Sequence, residues 1–104
     1  MAEKSWEETV SEEIDRLHKQ SDEAAFVRFI EFSDIGKNAD NKTMQIIGLM
    51  NAAAVACKMG NYDLCLAVAA SANAVDEEIY LNYLQEQPRM FEMMTALSKA
   101  GAFN

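Results

Sequence analysis

Several scarcities narrow what this chain can be. It has one proline and four glycines in 104 residues and no stretch of alternating β-branched residues bounded by turns, so the pattern points to helices and away from sheet. Its two cysteines stand eight apart, which fits neither zinc-ligand spacing nor a redox pair. Both sit in apolar helical patterns, where a free thiol acts as a small hydrophobe. Basic residues are few, nine Lys and Arg against seventeen Asp and Glu, for a net charge of -8 and a pI near 4.5. A surface of that sign repels nucleic acid, whose binding needs clustered Lys and Arg, and speeds encounters with basic partners. Long apolar runs are missing too. The longest uncharged stretch, Thr43 to Cys57, has fifteen residues, short of the roughly 20 that span a bilayer. The opening "MAEKSWEETV" is polar and acidic, unlike a signal or transit peptide, and the expected home is a reducing cytoplasm.

Catalytic and metal signatures are equally thin. His18 is the only histidine. Asp15 and Asp22 are its helical neighbours, but acid–base work needs the pair in a pocket, and the segment is biased to solvent. "DIGKNADNKT" offers oxygens at Asp34, Asn38, Asp40 and Asn41. It lacks the Asp-x-Asp-x-Asp-Gly order of a calcium loop, and its twelfth position is Gln45 where a bidentate Glu is required. It reads as a turn with helix caps. The chain is therefore read as a non-enzyme without metal or cofactor.

What is present is helical patterning throughout one domain, residues 1–104. Six segments are expected. The first, about Ser5 to Lys19, opens on the capping box "SWEE" and lines up Trp6, Val10, Ile14 and Leu17 as one narrow stripe. The second starts after Ser21 and places Phe26, Phe29 and Phe32 in the core. Gly36 then breaks it within "SDIGKNADN", the longest loop expected in the chain. The third, Asn41 to Met59, is apolar nearly all round and should be the central buried element. Gly60 ends it, and Asn61 restarts the alanine-rich fourth helix. The fifth, 76–86, carries Ile79, Tyr80, Tyr83 and Leu84 on one face. The sixth begins at Pro88, with Gly101 as its stop. In it Met90, Phe91, Met94 and Leu97 fall at helical spacing, while Met93 lies about 160° from Phe91 around the helix. Met90, Phe91, Met93 and Met94 cannot all face one core. A cluster of methionines also suits adaptable partner binding.

Eight of the seventeen acidic residues fall within the first 23 positions, against three basic ones. Glu8, Glu12 and Asp15 make an acidic helix face, which could simply be solvated or could bind a basic surface.

The run "KMGNYDLCLAVAASANAVD" at 58–76 resembles the turn of a tetratricopeptide repeat, a helix–turn–helix unit of roughly 34 residues with small residues at fixed packing positions. With Gly60 at the turn, the likeness extends from about Ile46 to Glu77. Ala52, Ala53 and Ala56 fall on the first helix, and Cys65, Leu66, Ala69 and Ala72 on the second. Small residues and a Gly-Asn turn are what a close antiparallel pair needs. Glu77 stands where the family has Pro, and neither flank repeats the pattern, so the resemblance implies one repeat-like hairpin, or a diverged helical-hairpin domain, completed by other helices. The fold expected is all-α, five to six short antiparallel helices around that central hairpin. By resemblance, a partner helix or peptide would bind the inner face of its first helix at Ile47, Met50, Asn51, Ala54, Cys57 and Lys58, unless the N-terminal helices cover it. The implied role is a small acidic adaptor or chaperone-like protein. The competing role is an inhibitor encoded by a phage or mobile element, whose acidic face blocks a host nucleic-acid-binding protein. A homo-oligomer is a third use for exposed apolar residues.

Overall fold

Five of the six described helices begin just after a short oxygen-bearing side chain, at Ser5, Ser21, Asn41, Asn61 and Asp76. The computed structural model, which describes residues 5–17, 19 and 21–99, contains α1 (Trp6–Leu17), α2 (Asp22–Asn38), α3 (Lys42–Lys58), α4 (Tyr62–Val75), α5 (Glu77–Glu86) and α6 (Pro88–Lys99). No strand occurs among the described residues, and the fold is all-α. The Oγ of Ser5 accepts from the Glu8 amide at 3.2 Å, as the capping box requires. Ser21, Asn41 and Asn61 cap α2, α3 and α4 by accepting from Ala24, Met44 and Leu64 at 3.4, 3.0 and 3.2 Å. Asp76 separates α4 from α5 and accepts from Ile79 at 3.0 Å. Pro88 is the first residue of α6, where its missing N–H costs nothing.

The long loop expected after Phe32 does not form. α2 continues through Gly36 to Asn38, and the chain reverses within residues 39–41. Gly36 is a buried helical residue at a point of close contact: a Cβ there would lie 2.7 Å from the backbone nitrogen of Gln45. Gly48 on α3 does the same in return, since a Cβ would lie 2.8 Å from the Ser33 nitrogen and 2.9 Å from the Phe29 carbonyl oxygen. The two glycines bring the backbones of α2 and α3 into contact at two levels. Glycine costs a helix about 1 kcal/mol relative to alanine, and here close packing offsets it. Asp34 and Asn38 lie exposed on α2 while Asn41 is engaged as a cap, so the calcium-like spelling is a helix end.

α3 is the central element, as its all-round apolar pattern predicts. It packs most extensively against α2, then α4, and also meets α5 and α6. Ile46, Met50, Ala52, Ala53 and Ala56 are wholly enclosed. On α4, Cys65, Ala69 and Ala72 form one buried stripe, and on α5 Tyr80 and Leu84 are buried with Ile79 and Tyr83 beside them. α6 presents Met90, Met93, Met94 and Leu97 to the core, while Phe91 is 55% exposed. Met93 therefore joins the core and Phe91 is the residue left outside. On α1, Ile14 packs against the core. The side chains of Trp6, Val10 and Leu17, together with His18 and Gly101, lie outside the described residues.

Candidate partner-binding surface

α3 brings the six residues singled out on its inner face into very different surroundings. Met50 is fully enclosed and Asn51 is 5% exposed. Ile47, Ala54 and Cys57 are half-buried, and only Lys58 is exposed, in an ion pair with Asp22 of α2 at 3.3 Å. An exposed pair of this kind contributes about 0–1 kcal/mol. The six do not make one open groove. α5, from the C-terminal half of the chain, approaches this face beside Ile47.

Asn51 stands where α3 meets α5. Its Nδ2 donates to the Ile47 carbonyl at 2.8 Å, and its side chain lies near Tyr83 of α5. Burial pushes the Tyr83 hydroxyl up to about 12, with the neighbouring Asn51 amide acting in the opposite direction. At neutral pH the phenol is therefore protonated.

Beside that contact α3 and α5 part to leave a cleft of about 280 Å³. Ile46, Ile47, Ile79 and Tyr83 form its buried and half-buried lining, and the exposed Thr43, Asn82, Glu86 and Gln87 surround its mouth. The interior is apolar and the polar groups gather at the mouth. Of the face proposed from sequence, only Ile47 reaches it. Ile79, Asn82, Tyr83 and Glu86 were not singled out as binding residues. Their spacing along α5 puts them on one flank, but only the docking of α5 on α3 makes that flank a wall.

Cys57 and Cys65, eight residues apart in sequence, face one another across the α3–α4 hairpin. Burial, reinforced by the neighbouring Cys57 thiol, pushes the Cys65 thiol up to about 11, so it stays a neutral, unreactive core group at physiological pH.

Glu8, Glu12 and Asp15 are all exposed, and their spacing of four and three places them on one stripe of α1. Glu13 points elsewhere, pairing with Arg16 on its own helix and with Arg28 of α2 at 3.1 Å. The Arg16 hydrogen bond, then that of Arg28, holds its carboxyl below the usual carboxylate range against an opposing effect of burial. Among the described residues α1 packs on α2, so this clip helps fix how the acidic stripe is presented. No protein-family model, curated protein or solved structure matches this chain, and its function is read from these surfaces.

Proposed function

We propose that this chain is a non-catalytic protein-binding module, a small acidic adaptor or chaperone-like protein that receives a helix or peptide of a partner in the cleft between α3 and α5. The observation that carries this reading is the cleft itself, whose apolar lining of Ile46, Ile47, Ile79 and Tyr83 is ringed by polar groups. The tetratricopeptide-like reading of α3 and α4 draws support from the Gly60–Asn61 turn and from the buried small residues Ala53, Ala56, Cys65, Ala69 and Ala72. A reducing compartment such as the cytoplasm suits the two free thiols. Among the described residues no helix is long and apolar enough to cross a membrane.

Pull-down from the native host with mass spectrometry tests the reading when run on variants side by side. Asn82→Trp, placed at the exposed mouth, should block the cleft without touching the core and remove the specific partner. Lysine substitution of Glu8, Glu12 and Asp15 together should leave that partner bound. The reverse result, with binding lost on charge reversal and in high salt, would instead identify the acidic stripe of α1 as the working surface and an inhibitor of a basic protein as the role.

A further inference from the structure

The flank of α5 turned away from the cleft carries a second surface. Phe91 of α6 is 55% exposed and Leu81 of α5 is 48% exposed, while Met90, Met93, Met94 and Leu97 of α6 turn to the core. At the corner where α5 gives way to α6, Leu84, Gln85, Pro88, Phe91 and Glu92 line an open hollow of about 330 Å³. Leu81 stands three and four residues before Leu84 and Gln85, on the same flank, and roughly 150° around the helix from the Ile79 and Glu86 of the cleft. The hollow and the exposed leucine therefore lie on the same flank of α5, turned away from the first site. Val27, Ile35 and Tyr62 are exposed to a similar degree elsewhere and need no explanation, but Phe91 differs in standing at a hollow wide enough to receive a side chain.

Charge selects the occupant. α5 and α6 carry four acidic residues, Glu77, Glu78, Glu86 and Glu92, against two basic ones, Arg89 and Lys99, and Glu92 sits on the hollow itself. A second copy of this chain would bring a net charge of -8 against another -8 and set like charges around a small contact. A basic helix would meet complementary charge. We propose that the α5–α6 corner seats a basic amphipathic helix of a partner protein, with an aliphatic or aromatic side chain in the hollow against Leu84, Pro88 and Phe91 and a lysine or arginine on Glu92.

The probe is a synthetic helix of roughly 15 residues with leucine on one face and lysine on the other, titrated into the isotope-labelled full chain and followed by amide resonances. Two control peptides carry glutamate for lysine or serine for leucine. The expected result is movement of the Leu81, Leu84, Gln85, Phe91 and Glu92 resonances, with those of Thr43, Ile46, Ile47 and Ile79 unmoved. Affinity should fall at least about tenfold for Phe91→Ser, whose helical circular dichroism should be unchanged because the side chain is exposed. Neither control peptide should bind comparably. Asn82→Trp and the triple lysine variant of α1 should bind as the parent does. The proposal is overturned by equal affinity of Phe91→Ser, by comparable binding of the serine peptide, by shifts confined to α1 or the α3–α5 cleft, or by no binding. It is equally overturned if sedimentation shows a dimer that Phe91→Ser dissociates, because the occupant would then be a second copy.

Discussion

The two sides of α3 solve the same packing problem in opposite ways. Toward α2 the helix presents Gly48, and α2 answers with Gly36, so backbone meets backbone and there is no room for a single methyl group. Toward α4 it presents Cys57 against Cys65, with Ala53 one turn earlier, and α4 answers with Ala69 and Ala72, each wholly or almost wholly buried. There the methyl groups are themselves the contact. A glycine seam gains closeness at the cost of helix propensity, while an alanine seam keeps the best helix former and accepts a slightly wider spacing. The first seam is unforgiving of additions and the second of deletions.

Exchanging the two residue types should expose that difference and produce the largest effects. In an exposed helix, glycine to alanine stabilises by about 1 kcal/mol. In Gly48→Ala the new Cβ meets backbone atoms at 2.8 and 2.9 Å, which cannot rotate away, so α2 and α3 must separate. A net loss of about 3 kcal/mol is expected. Ala53→Gly should lose about 2 kcal/mol, the sum of a buried methyl and the lower propensity of glycine. Urea denaturation midpoints measure both. A neutral or stabilising Gly48→Ala would mean that the helices do not touch at this level.

The same glycines show where the sequence was legible and where it was not. Gly60 followed by Asn61 reads correctly as a stop and a restart because both signals are local. Gly36 reads as a stop for the same local reason and is wrong, because its role lies in Gln45, nine residues on and in another helix. The true turn is at Asp40, with φ 54°, a conformation in which aspartate is only an occasional occupant. α6 repeats the lesson. Period alone leaves Phe91 and Met93 on different faces, and only the direction of the rest of the molecule tells which face is inside. At the candidate site, Ile47 was within reach of pattern reasoning through a resemblance. The wall supplied by α5 was not, since Ile79 and Tyr83 carry the spacing of ordinary core residues. Six helices and their caps follow from neighbours in sequence, and the cleft follows from neighbours in space.

A smaller effect separates the alanine seam from the glycine seam by pH. The Cys65 thiol has an ordinary value of 9.0 and is raised to about 11 by burial beside Cys57. The unfolded chain therefore releases this proton first as pH rises. Between about pH 9 and pH 11 the folded state binds more protons than the unfolded one, and stability falls as pH increases. Below pH 9 the group has no effect. The slope from this site is on the order of 1 kcal/mol per pH unit within that window, and Tyr80 and Tyr83, raised in the same sense by burial, add to it at higher pH. Cys65→Ala leaves a slightly smaller side chain without a titrating group. Its stability relative to the parent should improve steadily from pH 9 to pH 10.5, whereas Gly36→Ala should show a constant offset. A constant offset for Cys65→Ala would show that the thiol does not titrate out of the seam.

The smallest differences lie in the turns that join the seams. Both use one backbone scheme. The Asn41 amide donates to the Gly36 carbonyl at 2.8 Å and Asp40 to Lys37 at 3.2 Å, while Asn61 donates to Ala56 at 2.9 Å and Gly60 to Cys57 at 3.0 Å. This is the Schellman arrangement, which needs a left-handed residue at its penultimate position. Gly60 fills it at φ 80° and Asp40 at φ 54°. No neighbouring atom lies within 4 Å of a Cβ built at Gly60, so Gly60→Ala is a test of backbone strain alone and should lose about 1 kcal/mol. Asp40→Gly relieves the same strain and should gain about 0.5 kcal/mol, since glycine's greater freedom in the unfolded chain takes back part of the benefit. Thermal unfolding of the two variants should move in opposite directions. If both fall, Asp40 is held by its side chain as well as its backbone, and the two turns are alike only in their hydrogen bonds.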